Sequence, residues 1–174
     1  MVADGKYQIS EDHIFQGLLR TNWPGRGEVI NDNPVVLLDG AHTPQGAAVL
    51  NRLLEDCWPE GRRVFILGFN RDKDLEGFLA CFGRAPDAVV ATAAEVPRAL
   101  KPGETAERIR RFGWPADPVG LGGALDRALD HAGGKGVVVV TGSLYLVGAI
   151  RRGFLRRRGV LPTLKQDETR ERIR

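Results

Sequence analysis

Asp39 and His42 are the residues of this sequence whose types and setting best suit chemistry. They follow a run of apolar residues, 35–38, and precede a helical pattern that begins near Pro44. A carboxylate placed there can accept hydrogen bonds from a ligand hydroxyl or hold a cation, and a histidine can donate to an anion. The structural alternative is an aspartate that braces the turn and a histidine that packs. Because α/β sheets bind ligands at the carboxyl ends of their strands, the position favours function.

Lys73 and Asp74 occupy a comparable position, because they follow the apolar run 63–67. Lys73 could bind a carboxylate or phosphate group, or it could belong to a surface charge cluster with its acidic neighbours. The residue pattern leaves both interpretations open. Asp74 can cap the helix that is predicted to begin at Leu75.

Ser143 follows a third apolar run, 137–140, directly after Gly142. The pattern lacks the Gly-x-Ser-x-Gly spacing of a nucleophile elbow, which argues against a hydrolase triad. Ser143 could instead be a helix N-cap or supply a hydroxyl that binds substrate, and the N-cap role is favoured. Arg26 lies in a turn where we expect Trp23 to be a packing anchor, and it could clamp a phosphate or be an ordinary surface arginine.

The elements that must position these residues alternate between strands and helices, which predicts an α/β, Rossmann-like fold: a mostly parallel sheet with helices on both faces. Since the carboxyl ends of parallel strands share one edge, the corners at Asp39, Lys73 and Ser143 should meet there. A weak amphipathic segment at 14–19 comes first. Strands are predicted at 28–30, 35–38, 63–67, 88–91 and 137–140, with a turn at 31–33 and a minimal strand at Val119. Helices are predicted at 44–57, 75–82, 104–112, 124–131 and 144–154.

The composition, 174 residues with 43% hydrophobic and 27% charged, is typical of one globular domain. No run is apolar enough to span a bilayer, and residues 1–14 lack a signal-peptide core, so we expect a cytoplasmic protein without a membrane partner.

The positive net charge arises from residues 151–174, with nine Lys or Arg and three acids. For this basic segment, a solvated chain end is favoured over a nucleic-acid-binding role. We expect Cys57 and Cys81 to be buried thiols, without metal-ligand spacing.

Five motifs, taken in order, resemble the C-terminal domain of folylpolyglutamate synthase/dihydrofolate synthase in the Mur ligase superfamily. The first and last of them are specific to the folate branch of that superfamily. The resemblance divides the chain into a lead segment, 1–22, a glutamate ligase domain, 23–155, and a basic charged tail, 156–174. The motifs are Trp23-Pro24-Gly25-Arg26, Leu38-Asp39-Gly40-Ala41-His42-Thr43-Pro44, Asp72-Lys73-Asp74, Pro97-Arg98-Ala99-Leu100 and Val140-Thr141-Gly142-Ser143-Leu144-Tyr145-Leu146-Val147-Gly148.

The resemblance implies an ATP-dependent ligase that adds L-glutamate to folate or dihydropteroate through an acyl phosphate. ATP and Mg²⁺ are the implied cofactors. This sequence has no phosphate loop, so the loop and the Mg²⁺ ligands are expected in a larger N-terminal ATPase domain, the implied partner. No metal ligand is expected in this chain, and no nucleic-acid partner.

The resemblance also implies roles for individual residues, with His42 and Asp39 as the catalytic residues. Arg26 and Asp39 would contact ATP. His42 and Ser143 would bind glutamate, and Lys73 and Asp74 would line the same cleft.

Thr43 departs from the family pattern, which usually has asparagine after the histidine. Threonine keeps a capping oxygen but lacks the amide donor. Because the ATPase domain is not in this sequence, the isolated chain is expected to be inactive. The alternative is a non-catalytic, stand-alone Rossmann-like module for binding or interaction.

Overall fold

A computed structural model describes residues 8–160 of the chain. Strands and helices alternate within this range, as the sequence predicts. The strands are β1 (Glu28–Asp32), β2 (Val35–Leu38), β3 (Arg63–Leu67), β4 (Ala88–Ala91), β5 (Ala116–Pro118) and β6 (Val137–Thr141). The helices are α1 (Glu11–Arg20), α2 (Pro44–Cys57), α3 (Leu75–Leu79), α4 (Pro102–Arg111), α5 (Leu121–Ala132) and α6 (Leu144–Arg157).

The six strands form one sheet in the order β1-β2-β6-β3-β4-β5. All neighbouring pairs are parallel except β1 with β2, which is antiparallel. β6, the last strand of the described residues, therefore lies between β2 and β3, and every residue of β3 and β6 is buried. Burial on both faces explains why these strands are continuous apolar runs. The predicted Rossmann-like α/β fold is confirmed.

Helices cover both faces of the sheet, and each face has its own apolar cluster. Apolar residues of α2, α3 and α4 pack on one face, where Phe65 and Phe82 stand edge-to-face with Trp114. Residues of α5 and α6 pack on the other. None of the ten residues of α1 is buried, so this helix contributes to neither cluster. Among the helices of residues 8–160, none combines the length and the apolar character that a bilayer crossing requires.

Two of the predicted local elements are wrong in position. β1 continues to Asp32, so the predicted turn at 31–33 shifts to Asn33-Pro34, where the Asn31 side-chain amide donates to the Pro34 carbonyl at 2.7 Å. The minimal strand predicted at Val119 is β5, which ends one residue earlier. A strand of three residues is too short to show a periodic pattern.

The predicted burial of two side chains is also wrong. Trp23 is 68% exposed, and the turn that follows it is held by two hydrogen bonds of Gly25 and not by the ring: Gly25 N–H donates to the Glu28 carboxylate, and Gly40 N–H donates to the Gly25 carbonyl. Cys57 is exposed at the end of α2, one turn beyond Leu54, the last buried residue of that helix. Of the tail predicted at 156–174, residues 156–157 belong to α6 and 161–174 lie outside the described residues.

Candidate active site

The strand order opens a crevice at the carboxyl ends of β2, β6 and β3. β2 and β3 lead into helices on one face of the sheet, whereas β6, between them, leads into α6 on the other face. Neighbouring strands whose connections leave in opposite directions create the crevice in which α/β sheets bind ligands. The three polar corners predicted from the sequence follow these three strands.

The corner after β2 is pinned to the corner after β6. Gly142 N–H donates to the Ala41 carbonyl at 2.8 Å, and the buried Thr141 hydroxyl donates to the same carbonyl at 3.1 Å. Gly142 has a φ of +92°, and a Cβ added there would lie 2.5 Å from the Phe69 ring. Only glycine fits this position, because a side chain would meet both a disfavoured backbone conformation and a filled space.

A cavity of about 470 Å³ lies between these corners. It brings together three of the six predicted site residues, one from each corner: His42, Lys73 and Ser143. The complete lining is His42, Asn70, Lys73, Arg98, Gly142, Ser143, Leu144 and Tyr145. The expectation that the three corners meet at one edge is therefore confirmed.

Two buried polar atoms of the lining have no hydrogen-bond partner within the described part of the chain. They are the Ser143 hydroxyl oxygen and the Asn70 side-chain carbonyl oxygen, on residues that are 5% and 7% exposed. A buried polar atom without a partner costs about 1–3 kcal/mol. Such atoms on two residues that line one cavity are expected where a ligand supplies the missing partner.

The Ser143 hydroxyl does not cap α6, although Ser143 stands at the N-cap position. The favoured sequence interpretation of this side chain is therefore wrong. By contrast, the Thr43 hydroxyl accepts from Gly46 N–H at 3.2 Å and caps α2. The backbone of Ser143 is extended, with φ −160° and ψ 130°, as is that of Thr43, so backbone conformation does not distinguish the two residues. Ser143 lines the cavity, and its hydroxyl is buried without a partner.

Two cationic side chains line the same cavity. Lys73 Nζ lies 3.4 Å from Asp72 Oδ2, so the surface charge cluster predicted from the sequence exists. Lys73 also lines the cavity, and its binding of a carboxylate or phosphate group stays a prediction. The Arg98 guanidinium stands 5.7 Å from the centre of the Tyr145 ring, a cation–π arrangement that orients its planar group. The pair of cations suits a ligand with two negative groups.

His42 is held in one orientation by the backbone of its own corner. Its Nδ1 lies 2.8 Å from the Gly40 carbonyl oxygen. A carbonyl only accepts, so Nδ1 carries the hydrogen, and Nε2 of the neutral ring carries the lone pair. That nitrogen can accept a proton from a ligand or, once protonated, donate to an anion.

Asp39 braces the turn, as in the structural alternative. Its Oδ1 accepts from Ala41 N–H at 2.8 Å and its Oδ2 accepts from Gly27 N–H at 2.9 Å. It is not among the residues that line the cavity, and neither are Arg26 and Asp74. The ATP contact implied for Asp39 and Arg26 stays a prediction.

Asp74 is the N-cap of α3, as predicted, since its Oδ1 accepts from Gly77 N–H at 2.8 Å. The cap holds the start of α3 just after Lys73. The cleft contact that the resemblance implies for Asp74 stays a prediction.

The turn that carries Arg26 is fastened to the body of the domain at Glu28. Glu28 accepts from Gly25 N–H at 2.8 Å and pairs with Arg151 of α6 at 2.9 Å. Burial opposes ionisation of Glu28, but the hydrogen bonds from Arg151 and Gly25 outweigh it and hold the pKa of this carboxyl below its ordinary value. The exposed Arg26 side chain therefore projects from a firmly held backbone.

Sequence reasoning assigned no role to three residues of the lining: Asn70, Arg98 and Tyr145. The Pro97–Leu100 loop reaches the site through backbone bonds, since Leu100 N–H donates to the Phe69 carbonyl at 2.8 Å and Arg71 N–H to the Arg98 carbonyl at 3.0 Å. These bonds join segments about thirty residues apart and leave no local pattern. The available signals were the place of Asn70 in the polar loop that follows the apolar run 63–67, and the places of Arg98 and Tyr145 within motifs of the resemblance.

The family of the chain follows from comparison with known proteins. Residues 25–144 match the family model described as Mur ligase, glutamate ligase domain. The chain belongs to this family. The membership predicted from the motifs is thereby confirmed, and the matched range contains β1 to β6 and all of the cavity lining except Tyr145.

Relatives of this Mur ligase domain are folate enzymes. The chain is 34% identical, over 85% of its length and 18% of the relative's, to a probable bifunctional folylpolyglutamate synthase/dihydropteroate synthase of Haloferax volcanii. It matches the structure of Mycobacterium tuberculosis folylpolyglutamate synthase complexed with ADP and AMPPCP, with TM-score 0.73 and 32% identity over 84% of this chain and 36% of that one. It also matches the structure of a bifunctional folylpolyglutamate synthase/dihydrofolate synthase with Mn, AMPPNP and L-glutamate bound. That match has a TM-score of 0.73 and 29% identity, and it covers 86% of this chain and 36% of the other.

The chain thus spans about a third or less of these relatives, and their structures show nucleotide and metal use in the family. In the described residues, no group of three His, Cys, Asp or Glu side chains could hold a metal ion. The cations and unpaired polar atoms of the cavity instead fit an organic ligand that carries negative charge.

Proposed function

We propose that this domain presents L-glutamate for ligation to folate or dihydropteroate, as the C-terminal part of a folylpolyglutamate or dihydrofolate synthase. The observation that carries the proposal is the cavity, which combines two cations, two unpaired buried polar atoms and an oriented histidine. A relative of similar structure contains L-glutamate together with a nucleotide analogue. The fit of the cavity to an amino acid with two carboxylates supports the same ligand here.

The chemistry of the lining matches the groups of glutamate one by one. Lys73 and Arg98 would neutralise its carboxylates. The unpaired oxygens of Asn70 and Ser143 would accept hydrogen bonds from its amino group. His42 Nε2 would take a proton from the ammonium group, which frees the nitrogen lone pair for attack.

The bond changes of the ligation balance without further reactants. The amino nitrogen, after losing one proton to His42, bonds to the carbonyl carbon of the acyl phosphate. The carbon–oxygen bond to phosphate breaks, and the leaving phosphate takes the second proton of the amino group. ATP, when bound, supplies that acyl phosphate by phosphorylating the carboxylate. Arg26 would face the phosphates, and Asp39 would hold the Arg26 turn against the corner that carries His42. Closure of the cleft would keep water from the acyl phosphate.

The Mg²⁺ ligands and the phosphate loop are proposed to lie in an N-terminal ATPase domain, the partner with which this domain would close over ATP. The cytoplasmic location predicted from the sequence stays a prediction.

A chimera tests this function. The part of the Mycobacterium tuberculosis folylpolyglutamate synthase that lies outside the matched region is placed before the full chain, and glutamate-dependent ADP release is measured. We expect His42→Ala to lower kcat about a hundredfold, within the usual range for a proton-transfer group. His131→Ala, on α5 and outside the cavity, is the control and should leave kcat unchanged.

The Michaelis constant for glutamate separates binding from catalysis. Arg98→Ala should raise this constant about tenfold or more, because a hydrogen bond to a charged group contributes about 1.5–3 kcal/mol. Lys135→Ala, which removes an exposed lysine before β6 at the opposite edge of the sheet, is the matched control. A chimera that binds glutamate in calorimetry but releases no ADP would overturn the ligase proposal and support the binding module.

A further inference from the structure

Helix α1 presents a stripe of large apolar side chains to solvent. Ile14, Phe15, Leu18 and Leu19 are 53%, 58%, 69% and 63% exposed. Their spacing places them on one side of the helix. Ile14, Phe15 and Leu18 also line a shallow groove with Glu11 and Asp12. A contiguous apolar patch on an otherwise polar helix marks an interaction surface.

α1 is capped at its N-terminus, although a helix of this length is not expected to be stable by itself. Ser10 caps it, with His13 N–H donating to the Ser10 hydroxyl and Ser10 N–H donating to His13 Nδ1, both at 3.2 Å. A ten-residue helix is nevertheless marginal in water unless an apolar face is packed. Because neither apolar cluster of the domain includes α1, its packing partner lies outside the described fold.

We propose that the α1 stripe packs into an apolar groove of the ATP-binding domain that would precede this chain in the complete ligase. The proposal rests on the proposed function, which requires that domain. Two observations support this occupant over a second copy of the chain. The family match begins at residue 25, after α1, so the helix precedes the matched domain. The matched relatives also carry about twice as much further chain as this domain contains.

The docked helix would govern where Arg26 stands. Only residues 21–27 separate α1 from β1, and Arg26 lies in that connection. The end of this connection next to β1 is fixed, since Gly27 N–H donates to Asp39 and Gly25 N–H donates to Glu28. Seating α1 on the ATP-binding domain would fix the other end, so Arg26 would be held between the two domains. The groove should also offer a positive group near Glu11 and Asp12.

Hydrogen exchange of residues 11–20 tests the docking independently of activity. We expect these amides to exchange at least about a hundredfold more slowly in the chimera than in the isolated chain, because packing raises the free energy of local opening. Leu18→Asp should abolish that protection. Gly17→Asp, which adds the same charge outside the stripe where a Cβ meets nothing within 4 Å, should retain it.

Two results would overturn the proposal. One is equal exchange of α1 in the chimera and in the isolated chain. The other is a dimer of the chain that Leu18→Asp dissociates and that persists in the chimera, since the occupant would then be a second copy. A protected α1 in a chimera without ADP release would leave the docking intact and refute only the ligase function.

Discussion

Replacing Ser143 by alanine should stabilise the protein while weakening glutamate binding. The hydroxyl is buried and has no partner among the described residues, so it carries a desolvation cost that folding does not recover. Alanine removes the oxygen without enlarging the side chain. We expect the free energy of unfolding to rise by about 1 kcal/mol, the lower end of the cost of an unpaired buried polar group.

Thr43→Ala is the matched control for stability, because Thr43 stands at the start of α2 as Ser143 stands at the start of α6. The Thr43 hydroxyl accepts from Gly46 N–H, so its removal should lower the free energy of unfolding by about 1 kcal/mol. Urea unfolding at pH 7 without ligand measures both changes. Fluorescence of Trp114, which is 7% exposed, reports the transition.

The functional half of this prediction uses the chimera. Loss of a hydrogen bond to the glutamate amino group should lower kcat/KM for glutamate about ten- to a hundredfold, since each tenfold corresponds to about 1.4 kcal/mol. An unfolding free energy that falls in Ser143→Ala as it does in Thr43→Ala would show that the hydroxyl caps α6. An unchanged kcat/KM in a more stable variant would show that the oxygen faces no ligand.

Two further predictions concern the backbone that holds the site. Gly142→Ala should lower the free energy of unfolding by about 2–4 kcal/mol, from positive φ and from overpacking against Phe69, and a urea midpoint within error of the parent would contradict this. Glu28→Gln should cost about 1 kcal/mol at pH 7, where Glu28 is ionised and bonded to Arg151. Because the pKa of Glu28 is lowered in the folded state, its contribution is fully present above the ordinary pKa of a glutamate and disappears as pH falls through the folded pKa. The stability difference between the two proteins should therefore shrink as pH falls below the ordinary pKa of a glutamate, and a difference that stays constant on acidification would refute the ion pair's role.

The sequence alone determined the fold class, the family and the three corners of the site. The strands at 35–38, 63–67 and 137–140 are buried on both faces, so each is a local apolar run that can be recognised without the rest of the chain. Polar residues after such runs lie at the carboxyl edge by the geometry of a parallel sheet. Each strand, corner and motif is a pattern carried within about ten consecutive residues, and the order of these patterns along the chain gave the fold class and the family.

Tertiary structure decided which polar atoms are satisfied and which loops meet. Ser143 and Thr43 look alike in sequence and both have an extended backbone, yet only the Thr43 hydroxyl caps its helix. Arg98 and Asn70 meet because a β-bridge between Asn70 and Ala99 joins their distant loops. Trp23 stays exposed, and hydrogen bonds of Gly25 hold its turn. A local sequence pattern specifies the periodicity of a helix or strand and the average burial of its residues. The partner of a single polar atom depends on contacts between segments far apart in the chain, and only the folded molecule sets them.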